Sequence, residues 1–541
     1  MNIKILRINQ KYLIYFIAFL VFFIPRIIGL GGDLANYDST LWYPRLDRFV
    51  IAISSGQYLD TYQKYHPGVL MMWVSGFASY FFQIIFEFVF GYNPRFVQPQ
   101  FPRLNFATIF PLVFLISLLG TYCFYVIRKN FSNKIAFIFI ILLSIEPFFL
   151  GVTRFLHLTG INSMLMYASF LAIADYLIHA AKNTKLLAFS SILIGFAFLT
   201  KIDSIGAYIF NLALLYFVLA FRSKKIITLS ILKKCLVYAF IPLIVFYMVF
   251  PAMWVDPVAV LQRIYNEGIV KNALDVSGDL EDFSENFNYK YLFYPYMFML
   301  RSTPIFLFSM FVGVFVFIKN WNKSLATDSR SQLFLSWIIL YFLFNFLFLS
   351  IPGKMIDRYM ITFFPPLAVI CAIGFKSIFD LVGIKKSIFV LSVYYFSVLF
   401  SYYPNFSFYY SEIFGGPANV SRLGIQLKNR GEYYAQAAYY LNSINDNKSS
   451  KFTLVYHAER KETFGYFYLG TPVITTKQLP EDRFLNYLVV EQPMLNQIAT
   501  DKCQQIKSVG PRYPFEYSYL YIFECKNIDR DSKDFKLLEN R

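Results

Sequence analysis

Long apolar runs separated by short polar segments dominate the chain up to about residue 400. A helix that crosses a bilayer needs about 20 consecutive, mostly apolar residues. The pattern predicts about eleven such helices, near 12–30, 104–127, 135–151, 161–180, 187–201, 204–221, 235–253, 302–318, 332–351, 359–375 and 387–403. The chain is therefore expected to be a polytopic α-helical membrane protein.

One further apolar run, Val69 to Phe90, is expected to lie on the membrane surface or dip into it. Counting it as a span would move most of the later Lys and Arg clusters to the outer side, although cytoplasmic loops carry an excess of these residues. With a cytoplasmic N-terminus and without this extra span, the basic clusters fall on the cytoplasmic side, around 128–134, 182–185, 222–234, 319–330 and 376–386.

The remaining polar segments then lie outside, and the largest of them is the first outer loop, 31–103. Beyond residue 420 the pattern changes. Residues 431–444 have a helical spacing of Tyr, Ala and Leu, and β-like runs follow, at 451–458, 486–490 and 517–525. We therefore divide the chain into a membrane domain, 1–420, and a small extracytoplasmic α/β domain, 421–541.

Composition agrees with the membrane class. Hydrophobic residues make up 57% of the chain and charged residues 15%, whereas soluble domains carry about 25% charged residues. The net charge of +17 does not indicate nucleic-acid binding, because the basic residues follow the membrane pattern. Cys503 and Cys525 lie in the polar tail and could form a disulfide in an oxidising compartment. No metal-binding Cys/His spacing and no phosphate-binding Walker loop are present, so we expect neither a metal site nor nucleotide hydrolysis.

The first outer loop holds the strongest candidate for chemistry, Asp38. A carboxylate at a membrane surface is costly to desolvate, so it usually has a partner or a task. Asp38 could be the base that takes a proton from a substrate hydroxyl, or an ordinary solvated charge of the loop. Asp33 and Asp47 are its rivals, and Asp47 could form a plain surface pair with Arg48.

Several cations lie at the predicted outer ends of the spans, against the positive-inside trend. Each of them calls for a partner, and converging Lys and Arg side chains suit a phosphate or pyrophosphate. These residues are Arg103, Arg154, Lys201, Lys354 and Arg358. For Arg358 the alternative is a local ion pair with its neighbour Asp357.

His66-Pro67-Gly68 directly precedes the apolar run at Val69. Proline is favoured in the first turn of a helix, so this segment is expected to open the surface helix. His66 could be a satisfied loop histidine or part of a site.

Taken together, these motifs resemble the integral-membrane glycosyltransferases of the GT-C class, in particular the protein O-mannosyltransferases and the bacterial lipid A aminoarabinose transferase. The resemblance rests on the order of short motifs and on their side of the membrane. They are Asp38, His66-Pro67, Arg103, Thr200–Lys201, PAMWVDP at Pro251–Pro257, FYPYMFMLRSTP at Phe293–Pro304 and DRY at Asp357–Tyr359.

The resemblance implies a GT-C-like fold and an enzyme that takes a sugar from a polyprenyl-phosphate donor. Transfer would occur on the outer membrane face, with inversion, to a hydroxyl or amine of a protein, lipid or glycan acceptor. Fixed cations would stabilise the phosphate leaving group. By resemblance, Asp38 activates the acceptor, the donor phosphate is held by four cations, and three residues shape the site. The cations are Arg103, Lys201, Lys354 and Arg358, and the shaping residues are His66, Arg154 and Tyr359. No further cofactor is implied.

Two departures from the family pattern leave alternatives open. Ser39 stands where the family often has Glu after the Asp, and the stretch TRFLHLTGINS has Thr159-Gly160 where the family often places an Asp. An inactive relative acting as a scaffold is therefore one alternative. A transporter or lipid flippase is another, although such proteins commonly carry internal repeats and no repeat is evident here.

Overall fold

The structure is a computed structural model. It describes residues 2–33, 37–94, 100–179, 181, 183–271, 290–324, 329–420, 430–444, 451–456, 458–497 and 502–531.

Helices make up the chain as far as residue 402. In chain order they are α1 (Asn2–Ile27), α2 (Tyr37–Ser54), α3 (Val69–Phe90, with a π-helical turn at Met72–Gly76), α4 (Phe101–Asn130), α5 (Asn133–Ile145), α6 (Pro147–Val152), α7 (Leu158–Ile178), α8 (Thr184–Thr200), α9 (Ile205–Ser223), α10 (Leu229–Val249), α11 (Ala252–Val255), α12 (Pro257–Arg263), α13 (Phe293–Arg301), α14 (Pro304–Ser324), α15 (Ser329–Leu349), α16 (Phe364–Val382) and α17 (Ile384–Tyr402). A 3-10 helix, Asp357–Phe363, leads into α16.

Every apolar run predicted to span the membrane overlaps one of these helices. Within the described residues, eight helices are long and apolar enough to cross a membrane, or up to nine if the bent pair Lys290–Arg301 and Pro304–Lys319 counts as one span. Three more apolar helices are shorter, namely Tyr12–Ile27, Asn133–Ile145 and Thr184–Thr200. The chain is an integral membrane protein. The number of about eleven spans and the surface position of α3, which itself passes the length test, stay predictions.

Helix α7 is the centre of the bundle. All of its residues from Leu158 to Ile178 are buried, as expected of a helix that is apolar on every side. Helices α14 and α16 pack closely along one line, where Cβ atoms at Gly313 and Gly374 would lie within about 2 Å of facing backbone oxygens. Small residues of this kind allow helix backbones to approach within a membrane.

The C-terminal part is a small α/β unit. Its helices are α18 (Gly416–Val420), α19 (Tyr434–Ile444) and α20 (Ala458–Gly465), and its strands are β1 (Phe452–Val455), β2 (Thr471–Val473), β3 (Tyr487–Glu491), β4 (Cys503–Val509) and β5 (Leu520–Cys525). The strand order is β2-β1-β3-β5-β4, with β1 parallel to both neighbours and β5 antiparallel to both of its own. A disulfide joins Cys503 to Cys525, which face each other across β4 and β5.

The two faces of the sheet pack differently. Val455, Val489 and Ile522 belong to the hydrophobic core that continues into the membrane helices. Their neighbours Leu454, Leu488 and Phe523 form a separate core on the other face, because successive strand residues point to opposite sides. The α/β unit is thus packed against the helices. The predicted boundary near residue 420 borders residues 421–429, which lie outside the described part, and the two-domain division stays a prediction.

Candidate active site

Asp38 lies in the first turn of α2, where the helix dipole favours a negative charge. Its carboxylate forms an ion pair with Arg358, and its Oδ2 lies 3.6 Å from His157 Nε2. The Asp38 side chain remains 28% exposed. Asp38, Arg358, His157 and the nearby Arg430 are called the Asp38 cluster below.

His157 is the N-cap of α7, and its ring is held in one orientation. Its Nδ1 accepts the backbone N–H of Thr159 at 3.1 Å and lies 3.0 Å from the Thr159 hydroxyl. Because Nδ1 accepts a hydrogen bond, the proton of the neutral ring sits on Nε2, the atom that faces Asp38. Burial, followed by the charge of Arg358, lowers the pKa of His157 well below its usual value. The ring is therefore neutral at physiological pH.

The Asp38 carboxylate stays ionised in this setting. Burial alone would raise its pKa, but the charges of Arg358 and Arg430 outweigh burial and hold the pKa well below its usual range. An opposite charge within a few ångström favours the charged form of a carboxyl group.

Asp357, next to Arg358 in the chain, belongs to a different ion pair. It is fully buried between Arg301, whose Nη2 lies 2.7 Å from Asp357 Oδ2, and Arg430. The ion pairs thus give the two residues different partners, Arg301 and Arg430 for Asp357 and Asp38 for Arg358. A 3-10 helix has three residues per turn, so consecutive side chains point about 120° apart, and the two side chains of this dipeptide face different partners.

Lys201 projects into a cavity of about 300 Å³. Its Nζ lies 2.8 Å from Asp203 Oδ2 and 3.7 Å from the centre of the Tyr359 ring. Asn162 donates to the other oxygen of Asp203 at 2.9 Å, so the carboxylate that orients Lys201 is itself held. His66 and Lys354 line the same cavity.

A second cavity, of about 280 Å³, adjoins the first and shares Ile202, Ile205 and Ile269 with it. Its lining is almost wholly hydrophobic and includes Pro67 and Phe246. A pocket with fixed cations thus lies beside an apolar pocket.

His66 stands at the junction of the two pockets. Burial, followed by the charge of Lys201, lowers its pKa well below the usual value, and its Nδ1 is buried without a hydrogen-bond partner among the described residues. Gly68 donates its N–H to the Thr200 carbonyl at 3.1 Å, which fixes the loop beside Lys201. Gly68 has a φ of +62°, and a Cβ there would lie 2.4 Å from the Trp42 ring, so the position requires glycine. Because this left-handed residue is the N-cap, Pro67 precedes the helix, and the expectation that it occupies the first turn is wrong.

Two predicted site residues point elsewhere. Arg103 is exposed in the first turn of α4, and among the described residues no hydrogen bond or ion pair joins it to the Asp38 cluster. Arg154 is buried but donates to the Ile28 carbonyl at 2.9 Å. It also interacts with Asp33, whose pKa is raised to about 6 because the effect of burial exceeds that of Arg154.

The structure gives the two departures from the family pattern a packing role. The Ser39 hydroxyl donates to the Leu156 carbonyl at 3.2 Å, and Thr159 orients His157. Both residues tie the start of α2 and the turn before α7 together. Sequence reasoning missed His157 and Arg430, which come close to Asp38 only through the fold. The presence of His157 in the quoted TRFLHLTGINS stretch was the one available signal.

No family model matches the chain, and no curated protein matches it. Among solved structures, ArnT from Cupriavidus metallidurans bound to undecaprenyl phosphate is similar, with 12% identity, 95% of this chain and 98% of that chain covered, and a TM-score of 0.48. The oligosaccharyltransferase of Archaeoglobus fulgidus in complex with Zn and sulfate has 14% identity, 89% and 68% coverage, and a TM-score of 0.45. AglB from the same organism, in complex with an inhibitory peptide and a dolichol-phosphate, has 12% identity, 90% and 70% coverage, and a TM-score of 0.45.

None of the three identities exceeds 14% and none of the three TM-scores exceeds 0.48, so neither a family nor a site residue is assigned to this chain from them.

Proposed function

We propose that the chain is a glycosyltransferase that moves a sugar from a polyprenyl-phosphate donor to a hydroxyl or amine on the outer membrane face, with inversion. The observation that carries the proposal is the side-by-side placement of three features. They are an ionised, partly exposed carboxylate at Asp38, a nearby pocket lined by Lys201 and Lys354, and an adjoining apolar pocket. These features match the acceptor, the phosphate and the prenyl chain of such a reaction.

Asp38 is proposed as the base. The acceptor gives its proton to the Asp38 carboxylate while its oxygen or nitrogen attacks the anomeric carbon. The bond from that carbon to the phosphate oxygen breaks, and polyprenyl phosphate leaves with the electron pair. Lys201, Lys354 and Arg358 are proposed to stabilise the negative charge that develops on the leaving phosphate, with the neutral His66 and the Tyr359 ring shaping the pocket.

The ion pair between Asp38 and Arg358 suggests how donor binding prepares the base. A carboxylate whose pKa is held far below its usual range is a weak proton acceptor. A donor phosphate attracts Arg358 and shares its charge, so the pKa of Asp38 rises as the donor binds. The base then becomes stronger only when the donor is present.

The test is transfer from a panel of radiolabelled polyprenyl-phosphate sugars to a membrane extract, with wild type beside Asp38→Asn. Asp47→Asn is the matched control, since Asp47 lies on the same helix, α2. We expect transfer by wild type and Asp47→Asn, and a loss of about 10²–10⁴ in rate for Asp38→Asn. Full activity of a folded Asp38→Asn protein would reject the assignment. Absence of transfer and of donor binding by wild type would favour a transporter.

A further inference from the structure

Arg430, the first described residue after α18, reaches the site from the C-terminal part of the chain. Its carbonyl accepts the backbone N–H of Tyr37, the residue directly before Asp38. Its guanidinium forms an ion pair with Asp357, the residue directly before Arg358. Asp38 and Arg358 form an ion pair, and Arg430 contacts the residue that directly precedes each of them in the chain.

Asp357 is held from two sides. Arg301 binds it from α13 and in turn donates to the carbonyls of Ser407 and Tyr409, at 3.2 and 3.0 Å, and to the Tyr410 hydroxyl, at 2.8 Å. Arg301 and Asp357 are 1% and 0% exposed, so water does not screen the charges. Because Arg358 follows Asp357 in the same 3-10 helix, an anchored Asp357 leaves Arg358 little freedom in its direction.

The backbone at Arg430 is itself fixed. Its N–H donates to Glu432 Oε2, and Glu432 Oε1 accepts the Ser407 hydroxyl at 2.7 Å. Tyr439, in α19, donates its hydroxyl to the Gly32 carbonyl at 3.1 Å. The segment from Arg430 to Tyr439 is thus tied both to the loop before Asp38 and to the turn after α17.

We infer that Arg430 is a positioning residue of the proposed transferase: by binding Tyr37 and Asp357 it holds Asp38 and Arg358 at their working separation. The inference rests on the proposed function and extends it, since it makes the C-terminal part of the chain an obligatory component of the active site.

The test compares full-length Arg430→Gln, Arg430→Lys, Arg358→Gln and the double variant Arg358→Gln/Arg430→Gln, each in lipid nanodiscs. Arg512→Gln is the matched control, because Arg512 is an exposed arginine of the same C-terminal part whose backbone N–H, not its side chain, contacts Ser401. Two quantities are measured, the transfer rate per folded molecule and the dissociation constant of polyprenyl phosphate.

We expect Arg430→Gln to lower the transfer rate by about 10²-fold, the typical effect of a misplacement of about 1 Å in an active site. The ratio of the loss in donor affinity to the loss in transfer rate should be the same in Arg430→Gln as in Arg358→Gln. Arg430→Lys should recover part of both the affinity and the rate. The double variant should be no worse than Arg358→Gln, because the Arg430 side chain acts through Asp357 on Arg358, while its backbone contact with Tyr37 survives the substitution. Arg512→Gln should match wild type.

A double variant whose loss equals the product of the two single losses would overturn the inference, since the two arginines would then act independently. So would a folded Arg430→Gln with wild-type rate and affinity. If Arg430→Gln fails to fold, the test uses Arg430→Lys instead. An Arg430→Lys protein that folds in lower yield but has the wild-type rate and affinity per folded molecule also overturns the inference. A wild type that neither transfers nor binds polyprenyl phosphate instead rejects the proposed function on which the inference rests.

Discussion

Helix α7 has a carboxylate cluster at each end, and the two clusters contain the same kinds of groups. At its N-terminal end, Asp38 meets Arg358 and His157. Near its C-terminal end, Asp175 Oδ2 lies 2.8 Å from Lys129 Nζ, and Asp175 Oδ1 lies 3.2 Å from His179 Nδ1 and accepts from Asn130 at 3.0 Å. Asp175, Lys129, Asn130 and His179 are called the Asp175 cluster.

The two clusters differ in how much of the carboxylate remains exposed beside its partners. Asp175 is 1% exposed, and both of its oxygens are taken by partners from α4 or from one helical turn further on. Asp38 is 28% exposed, and its partners come from three distant parts of the chain. A carboxylate satisfied by near neighbours supports packing, whereas one held ionised by converging distant groups and still partly open can meet a substrate.

The strongest test of the difference between the two clusters is to neutralise each carboxylate in turn. Asp38→Asn should lower the transfer rate by about 10²–10⁴ with little change in the thermal midpoint. Asp175→Asn should leave the rate per folded molecule nearly unchanged. Rates are measured with the donor identified by the radiolabelled panel. Equal losses of rate in both variants would show that the Asp38 cluster has no special role.

Donor binding gives the next largest contrast. A charged hydrogen bond to phosphate contributes about 1.5–3 kcal/mol, so Lys201→Gln and Arg358→Gln should each weaken polyprenyl-phosphate binding by about 10- to 150-fold. Lys129→Gln, which removes the cation of the Asp175 cluster, is the control and should bind normally. The dissociation constants are measured in nanodiscs, and unchanged constants in both site variants would place the phosphate elsewhere.

Stability should show the reverse order. Asp175→Asn leaves Lys129 and His179 without a charged partner, at a cost of about 1–3 kcal/mol, and should lower the thermal midpoint. Asp38 is 28% exposed, so water replaces part of what Arg358 loses in Asp38→Asn, and the midpoint should change less. A lower midpoint for Asp38→Asn than for Asp175→Asn would contradict the structural role given to the Asp175 cluster.

The smallest expected effect is the pH dependence of stability from His157. Its pKa is lowered in the folded state, so below about pH 6.5 the unfolded chain binds a proton that the folded chain does not. The contribution of His157 to the free energy of unfolding is fully present above about pH 6.5. It decreases on acidification, by at most about 1.4 kcal/mol per pH unit. Asp33, whose pKa is raised to about 6, has the opposite effect and stabilises the folded chain as the pH falls below that value. This effect is the same in wild type and in a His157 variant.

The measurement is the thermal midpoint between pH 7.5 and 5.5 for wild type and His157→Asn. The variant should lose less stability on acidification than wild type. His179→Asn is the control, because the His179 side chain is 42% exposed whereas that of His157 is 7% exposed. A His157→Asn profile parallel to that of wild type would mean that His157 is charged in the folded protein.

The sequence predicted the pieces of the site that a short motif carries. Asp38, His66, Lys201 and Arg358 each occupy a loop or turn next to an apolar run, and the alternation of runs and loops places them on one side of the bundle. The α/β unit was predicted through α19 and the apolar strands β1, β3 and β5. Strands β2 and β4 were missed, because β2 has three residues and β4 reads CQQIKSV, without a strict apolar alternation.

Partners that meet only in the folded chain could not be predicted. The separation of Asp357 from Arg358 depends on the 3-10 geometry of their turn, and the approach of Arg430 depends on how the C-terminal part packs on the helices. Arg103 and Arg154 were predicted from their positions at the ends of apolar runs, for phosphate binding and site shaping. Arg103 is exposed in the first turn of α4 and Arg154 donates to the Ile28 carbonyl, and both roles stay predictions.

The disulfide between β4 and β5 gives the molecule a built-in reporter of its orientation. Disulfides persist in oxidising compartments and are rare where cellular thiols are kept reduced. The alkylation state of Cys503 and Cys525 in intact cells therefore reads out the side of the membrane on which the sheet folds, without any fusion or tag. The same pair also links the stability of the sheet to the redox state of the compartment in which it folds, so cells defective in disulfide formation should accumulate chains whose membrane helices are intact and whose sheet is more easily cleaved by protease.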